Sequence, residues 1–186
     1  MKRKFFIFSL PRSGSSWLSQ FLSMPGSYCY HEPFADMDFS GLYSQWEARP
    51  EECVGAIDTS AHQRVVIPAV DHYFVLRRHK HEVESSLRHR GWVMNVDSEL
   101  NELDARAQTF ECVPIYYHLL SELSYLESIW NSVTCGLPFD RERAEYLMEM
   151  NIQRKFANVA KRVRAHQDDR GAVRSSSTNG GAGPAS

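Results

Sequence analysis

The chain has 186 residues, of which 42% are hydrophobic, 12% aromatic and 24% charged, the proportions of an ordinary globular domain. Twenty-one basic residues face 23 acidic ones, a net charge of −2, so no overall field draws the chain to nucleic acid or to a membrane, and any anion site must be local. The length and the lack of an internal repeat exclude a solenoid, a coiled coil and separate cofactor and substrate domains.

Lys2-Arg3-Lys4 precedes the apolar residues 5–10, a run too short for a signal peptide and without a small-residue cleavage site. It reads as a strand buried on both faces. Pro11-Arg12-Ser13-Gly14-Ser15 breaks it, and Trp17, Leu18, Phe21 and Leu22 then form one helical stripe that Pro25-Gly26 ends. Tyr28-Cys29-Tyr30 is a short second strand leading into His31-Glu32-Pro33. Residues 39–48 read as helix, residues 53–57 as a third strand ending at Asp58-Thr59-Ser60, and residues 61–70 are ambiguous.

Residues 72–76 form a fourth buried strand, followed by a turn at 77–79 and a helix over about 80–89. Residues 95–111 are a polar helix or an insertion, and residues 113–117 a fifth strand. Residues 123–130 and 141–156 are amphipathic helices, the second capped by Asp140. This alternation predicts an α/β fold: three layers, with a central parallel sheet of about five strands and helices on both faces.

One domain is expected over residues 1–168, with a Gly-, Ser- and Ala-rich disordered tail over 169–186 that has no large apolar residue after Val173. Cys29, Cys53, Cys112 and Cys135 show no CxxC pair and no metal-ligand spacing, and read as reduced, mostly buried thiols of a cytoplasmic protein, with two disulfides of a secreted domain as the alternative. No stretch approaches the ~20 apolar residues that span a bilayer.

Ligands of parallel sheets bind beyond the carboxyl ends of the strands, which aligns the Arg12 turn, His31-Glu32, Asp58 and Arg77 along one edge. The strongest signal there is Pro11-Arg12-Ser13-Gly14-Ser15-Ser16-Trp17, between a strand and a helix. Gly14 lets the backbone approach an oxyanion, unpaired amides point outward, and Arg12 with the serine hydroxyls adds charge and donors. A lone Ser-Gly-Ser would be only a capped turn; the basic residue and the strand–helix context make this a cradle for a phosphate-like group. It is not a Walker A loop, because GxxxxGK[ST] is absent.

Pro-Arg-Ser-Gly-Ser-Ser-Trp-Leu resembles the 5′-phosphosulfate-binding loop of sulfotransferases that use 3′-phosphoadenosine-5′-phosphosulfate (PAPS), P-[KR]-[ST]-G-[ST]-[ST]-x-L after the first strand. Residues 75–85 resemble the family's 3′-phosphate segment, a strand ending in Arg77 with Ser85 eight residues later on the following helix. A weaker similarity lies in residues 116–120 and 136–140, so the resemblance spans residues 5–156 and is closest to carbohydrate and bacterial members. It implies a P-loop nucleotide-kinase-like fold and a PAPS site built from Arg12, Ser13, Gly14, Ser15, Ser16, Trp17, Arg77 and Ser85, with no metal. The family's R-K-G-x-x-G-D-W-K segment, which closes over the nucleotide, has no match; Arg154-Lys155 is the nearest substitute.

Sulfuryl transfer needs charge stabilisation at the leaving phosphate, which suits Arg12, and a base near the acceptor. Glu32 is the preferred base, because residues 30–34 resemble the Glu-Pro tract of carbohydrate sulfotransferases. His31 is the runner-up, and Asp58 and His62 follow. The bland readings are a solvated or Arg12-paired carboxylate for Glu32 and an orienting or exposed ring for His31. Trp92, Trp46 and Tyr43 are candidates to line an acceptor cleft, although aromatic residues at such places are more often core.

The resemblance therefore implies transfer to a hydroxyl or amine of a small molecule or glycan, with neither nucleic acid nor membrane as partner. A divergent small-molecule or nucleotide kinase using ATP, and a non-catalytic nucleotide-binding module, are the alternatives.

Overall fold

A computed structural model describes residues 2–64 and 66–150 of the chain. Its centre is β1 (Arg3–Phe8), whose last four residues, Phe5, Phe6, Ile7 and Phe8, are wholly buried. There follow α1 (Ser15–Phe21), β2 (Ser27–His31), α2 (Phe39–Ala48), β3 (Cys53–Asp58), β4 (His72–Arg77), α3 (Lys80–His89), α4 (Val96–Thr109), β5 (Val113–Tyr116), α5 (Leu123–Thr134) and α6 (Arg141–Met150). Single 3₁₀ turns lie at Pro33–Ala35, Ala61–Gln63 and Tyr117–Leu119.

The five strands are parallel in the order β2-β3-β1-β4-β5. Side chains alternate across a strand, so the apolar runs build two cores. Phe5, Ile7, Phe74, Leu76 and Ile115 pack on one face with Leu18 and Phe21 of α1, Trp130 of α5 and Leu147 of α6. Phe6, Phe8, Val54 and Val75 pack on the other with Trp46 of α2, Val83 and Leu87 of α3 and Leu103 of α4. Helices thus cover both faces of an α/β sheet, as the alternation predicts.

The first strand ends at Phe8 rather than at Leu10: the Ser9 amide still bonds the Asp58 carbonyl, at 3.2 Å, but the chain then leaves the ladder. Within residues 95–111 the chain forms the helix α4 (Val96–Thr109), whose Asn95 cap accepts from the Ser98 amide at 3.3 Å. Asp140 caps α6 as predicted, its Oδ1 accepting from the Arg143 amide at 3.0 Å. The ambiguous stretch holds one short 3₁₀ turn at Ala61–Gln63.

The chain divides into units of residues 1–148 and 149–186. The predicted extension of α6 to residue 156, Arg154-Lys155, the boundary at residue 168 and the tail over 169–186 lie outside the described residues. No helix among the described residues is long and apolar enough to cross a membrane. The four cysteines are free; burial pushes the Cys53 and Cys112 thiols up to about 11, whereas Cys135 is exposed.

The strand order sets the place of a site. β1 and β4 are neighbours, yet α1 leaves β1 on one face and α3 leaves β4 on the other. A crevice therefore opens beyond their carboxyl ends, between residues 9–14 and 77–79.

Gly55 on β3 lies opposite Phe5 in the register, and a Cβ there would overlap the Phe5 ring. Gly55→Ala is expected to destabilise the fold by about 1–3 kcal/mol through overpacking, read from the urea midpoint.

Candidate functional site at the carboxyl ends of β1 and β4

Two residues of the loop after β1 have left-handed backbone, Arg12 at φ 68° and Gly14 at φ 94°. Gly14 caps α1 with its carbonyl, which accepts from the Trp17 and Leu18 amides at 3.1 and 3.0 Å. Glycine is needed there twice over: its φ is one that other residues rarely adopt, and a Cβ would stand 2.5 Å from Cε2 of Tyr117. The Tyr117 ring thus lies directly on the loop.

Arg78 holds the loop from the β4 side. Its guanidinium donates to the Arg12 carbonyl at 2.7 Å and to Glu82 at 3.2 Å, and stacks 4.1 Å above the Tyr117 ring. The Arg12 side chain turns back onto α3, where its Nε donates to the Ser86 hydroxyl at 3.0 Å. Arg12 has no carboxylate partner among the described residues. Partial burial and then the nearby Arg90 and Arg78 guanidiniums hold its pKa below the usual arginine value.

Arg77 and Ser85, expected to hold a 3′-phosphate, make no hydrogen bond to each other or to this loop among the described residues. Arg77 forms an ion pair with Asp104 of α4, and Ser85 is exposed. The pair that meets Arg12 is Arg78 and Ser86, with the same eight-residue spacing one position later. Two periodicities explain the shift. On β4, Arg77 shares its side of the strand with Val75 and so faces α4. On α3, Val83 and Leu87 define the buried stripe; Ser86 flanks it, while Ser85 lies opposite.

Of the other loop residues, Ser13 and Ser15 are buried, and the Ser15 and Ser16 hydroxyls each lie 3.1 Å from Nε2 of His31. Trp17 is directed away from the loop: its indole stacks on Phe21 at 5.6 Å and donates to the Leu147 carbonyl at 3.0 Å. Trp17 is an anchor between α1 and α6.

Glu32 and His31 end β2 on the far side of the loop. Glu32 has left-handed backbone at φ 54°, and its Oε1 accepts from the Thr59 hydroxyl at 2.8 Å and lies 3.7 Å from His31 Nε2. Glu32 is half-exposed and not paired to Arg12. Asp58, 1% exposed, is committed to its surroundings, accepting from the Phe34 amide and from the Ser60 amide and hydroxyl. His62, 3% exposed, bonds Glu99 of α4 at 2.7 Å. Both side chains are buried and hydrogen-bonded within the fold. Trp46 and Tyr43 belong to the second core, whereas Trp92 is 57% exposed on the loop after α3.

Two cavities flank the loop. One of about 720 Å³ is lined by Arg77, Arg78, His79, Asp104, Tyr116 and His118 among others, with the His79 and His118 rings stacked 5.2 Å apart. The other, of about 490 Å³, is lined by Ser16, Tyr28, Tyr30, His31 and Arg143 among others. Away from both, His62, Glu99 and Glu102 bring potential ligand atoms within 4.8 Å of one another, the one such group among the described residues. Glu99 is already satisfied there by His62 and by two hydrogen bonds from Gln63.

No protein-family model matches the chain, and the search of curated proteins finds no match.

Gly14→Ala is expected to destabilise the fold by about 1–3 kcal/mol. Adding Tyr117→Ala removes the clash but not the backbone strain, so urea denaturation of the double variant should recover only the steric part.

Proposed function

We propose that the chain is a sulfotransferase that uses PAPS and transfers the sulfuryl group to a hydroxyl or amine of a small molecule or glycan. The observation that carries this reading is the hydrogen bond from Arg12 to Ser86. It ties the loop that resembles the family's 5′-phosphosulfate segment to the residue directly after residues 75–85, which resemble its 3′-phosphate segment, at the crevice where an α/β sheet binds ligands. The finer fold reading, P-loop nucleotide-kinase-like, rests on the same resemblance.

The donor set suits a ligand with two anionic groups. Arg12 has no counter-carboxylate among the described residues, the loop serines offer hydroxyls, and only Glu82 contributes negative charge next to Arg78. PAPS supplies the activated sulfuryl group, whose S–O bond to the donor phosphate breaks as one to the acceptor oxygen forms. Arg12 stabilises the negative charge that develops on the leaving phosphate, a task that suits a preorganised and partly desolvated guanidinium.

Glu32 takes the acceptor's proton. Thr59 holds Oε1, and Oε2 has no hydrogen-bond partner among the described residues. His31 orients the Ser15 and Ser16 hydroxyls from beside that carboxylate. The protein's product complex then contains adenosine 3′,5′-bisphosphate.

Adenosine 3′,5′-bisphosphate at millimolar concentration is expected to raise the melting temperature by several degrees, and Arg12→Ala to abolish the shift. Glu32→Gln should lower sulfuryl transfer by about 10²–10⁴-fold while leaving bisphosphate affinity within about twofold. Phosphoryl transfer from ATP with Mg²⁺, and none from PAPS, would replace this reading by the kinase.

A further inference from the structure

The turn after β3 and the helix α4 bring together His62, Glu99 and Glu102, one imidazole and two carboxylates whose ligand atoms all lie within 4.8 Å of one another. Glu99 and Glu102 stand three residues apart on α4, a spacing that puts both on one face of the helix. Arg106, further along the same helix, clasps the turn: its guanidinium donates to the His62 carbonyl at 2.9 Å and to the Arg64 carbonyl at 2.6 Å. The backbone therefore holds His62 beside the two acids.

The group differs from an ordinary surface cluster of acids in what its members lack. The His62 side chain is 1% exposed, and its Nδ1 is buried with no hydrogen-bond partner. Glu99 Oε2, 2.7 Å from Nε2, is thus the one group that the ring addresses among the described residues. Neither carboxylate has a lysine or arginine partner among those residues, and Arg106 is spent on the two carbonyls. Two like charges this close, beside a buried ring, repel each other with little screening, and one divalent cation cancels both. Gln63 Nε2 donates to the two oxygens of Glu99 at 3.0 and 2.8 Å, which orients that carboxylate and leaves its charge in place.

We infer that His62, Glu99 and Glu102 bind a divalent transition-metal ion, with zinc the best match to one nitrogen and two carboxylate oxygens. Magnesium and calcium take all-oxygen sets, which a buried imidazole does not suit. Bonds of about 2.0–2.2 Å place the ligand atoms of a tetrahedral ion about 3.4 Å apart. His62 and Glu99 open by under about 1 Å to admit the ion, and the exposed Glu102 side chain moves in to complete the set. The ion takes the place of the hydrogen bond between Nε2 and Oε2, while Gln63 keeps its hold on Glu99. It ties the turn after β3 to α4, and that turn follows directly on Thr59, the residue that holds Glu32 Oε1. None of the three ligands is among the residues proposed to bind PAPS, so the site stands whether or not the chain is a sulfotransferase.

The test titrates zinc chloride into the full chain, stripped with a chelator and carrying no histidine tag, and reads binding by calorimetry and the melting temperature with and without the ion. Wild type is expected to bind one zinc ion with micromolar or tighter affinity and to melt several degrees higher when loaded. Glu102→Gln, at an exposed position, should weaken binding by at least about tenfold and remove most of the shift, with the melting temperature in chelator unchanged. Glu145→Gln, which alters an exposed acid of α6, should change neither readout. Cys135, whose Sγ lies 3.5 Å from His72 Nε2, and His118, stacked on His79, are the competing metal ligands, so Cys135→Ser and His118→Ala should keep the tight site. Wild-type binding no tighter than about 100 μM, binding unchanged by Glu102→Gln, or binding lost in Cys135→Ser or His118→Ala, overturns the assignment. Displacement of the zinc by millimolar magnesium overturns the choice of ion.

Discussion

The hydrogen bond from the Arg78 guanidinium to the Arg12 carbonyl is the constraint on which the candidate site depends. Arg12 and Gly14 both hold left-handed backbone, a conformation that costs a non-glycine residue free energy and persists only where neighbours impose it. Arg78 imposes it from the end of β4, and Tyr117, from just beyond β5, fills the space that a side chain at Gly14 would need. Three consecutive positions in the sheet, β1, β4 and β5, thereby converge on one short loop.

That convergence is possible because β1 is central and buried on both faces. Its alternating residues feed two separate cores, so the strand ends in a fixed position and the loop starts from a rigid base. The same order makes β1 and β4 the neighbours whose helices leave on opposite faces. At those ends Arg12 bonds Ser86, Arg78 bonds the Arg12 carbonyl, and the Ser15 and Ser16 hydroxyls meet His31.

Charge is distributed unevenly around this crevice although the chain is nearly neutral. Most cations of the β4–α3 segment are neutralised locally, by Asp104, Glu82, Asp97 and Glu84. Arg12, Arg88 and Arg90 carry no ion pair among the described residues, and of these Arg12 belongs to the loop. Carboxylates on the other side are handled differently: Asp58 is consumed by backbone amides and a hydroxyl, whereas Glu32 is half-exposed and bonded through Oε1 alone among the described residues. Burial and hydrogen-bond commitment separate two acids that composition cannot distinguish.

The α/β class, the parallel sheet and the loop between β1 and α1 were legible in the sequence, because apolar periodicity and a Gly-containing break are local properties of the chain. So was Glu32 as an acid at a strand end. The partner of Arg12 was not. Arg77-Arg78 and Ser85-Ser86 are doublets that satisfy one eight-residue spacing in two registers, and the choice between them depends on which side of β4 meets α4 and which stripe of α3 meets the sheet. Trp17 was legible as part of the α1 stripe, but not its bond to the Leu147 carbonyl of α6, since contacts across the fold decide where a half-buried indole points. Sequence by itself determined which residue types reach the crevice; tertiary packing decided which of two adjacent residues turns toward it, because a one-residue change in register reverses a side chain's face on a strand and swings it about 100° on a helix.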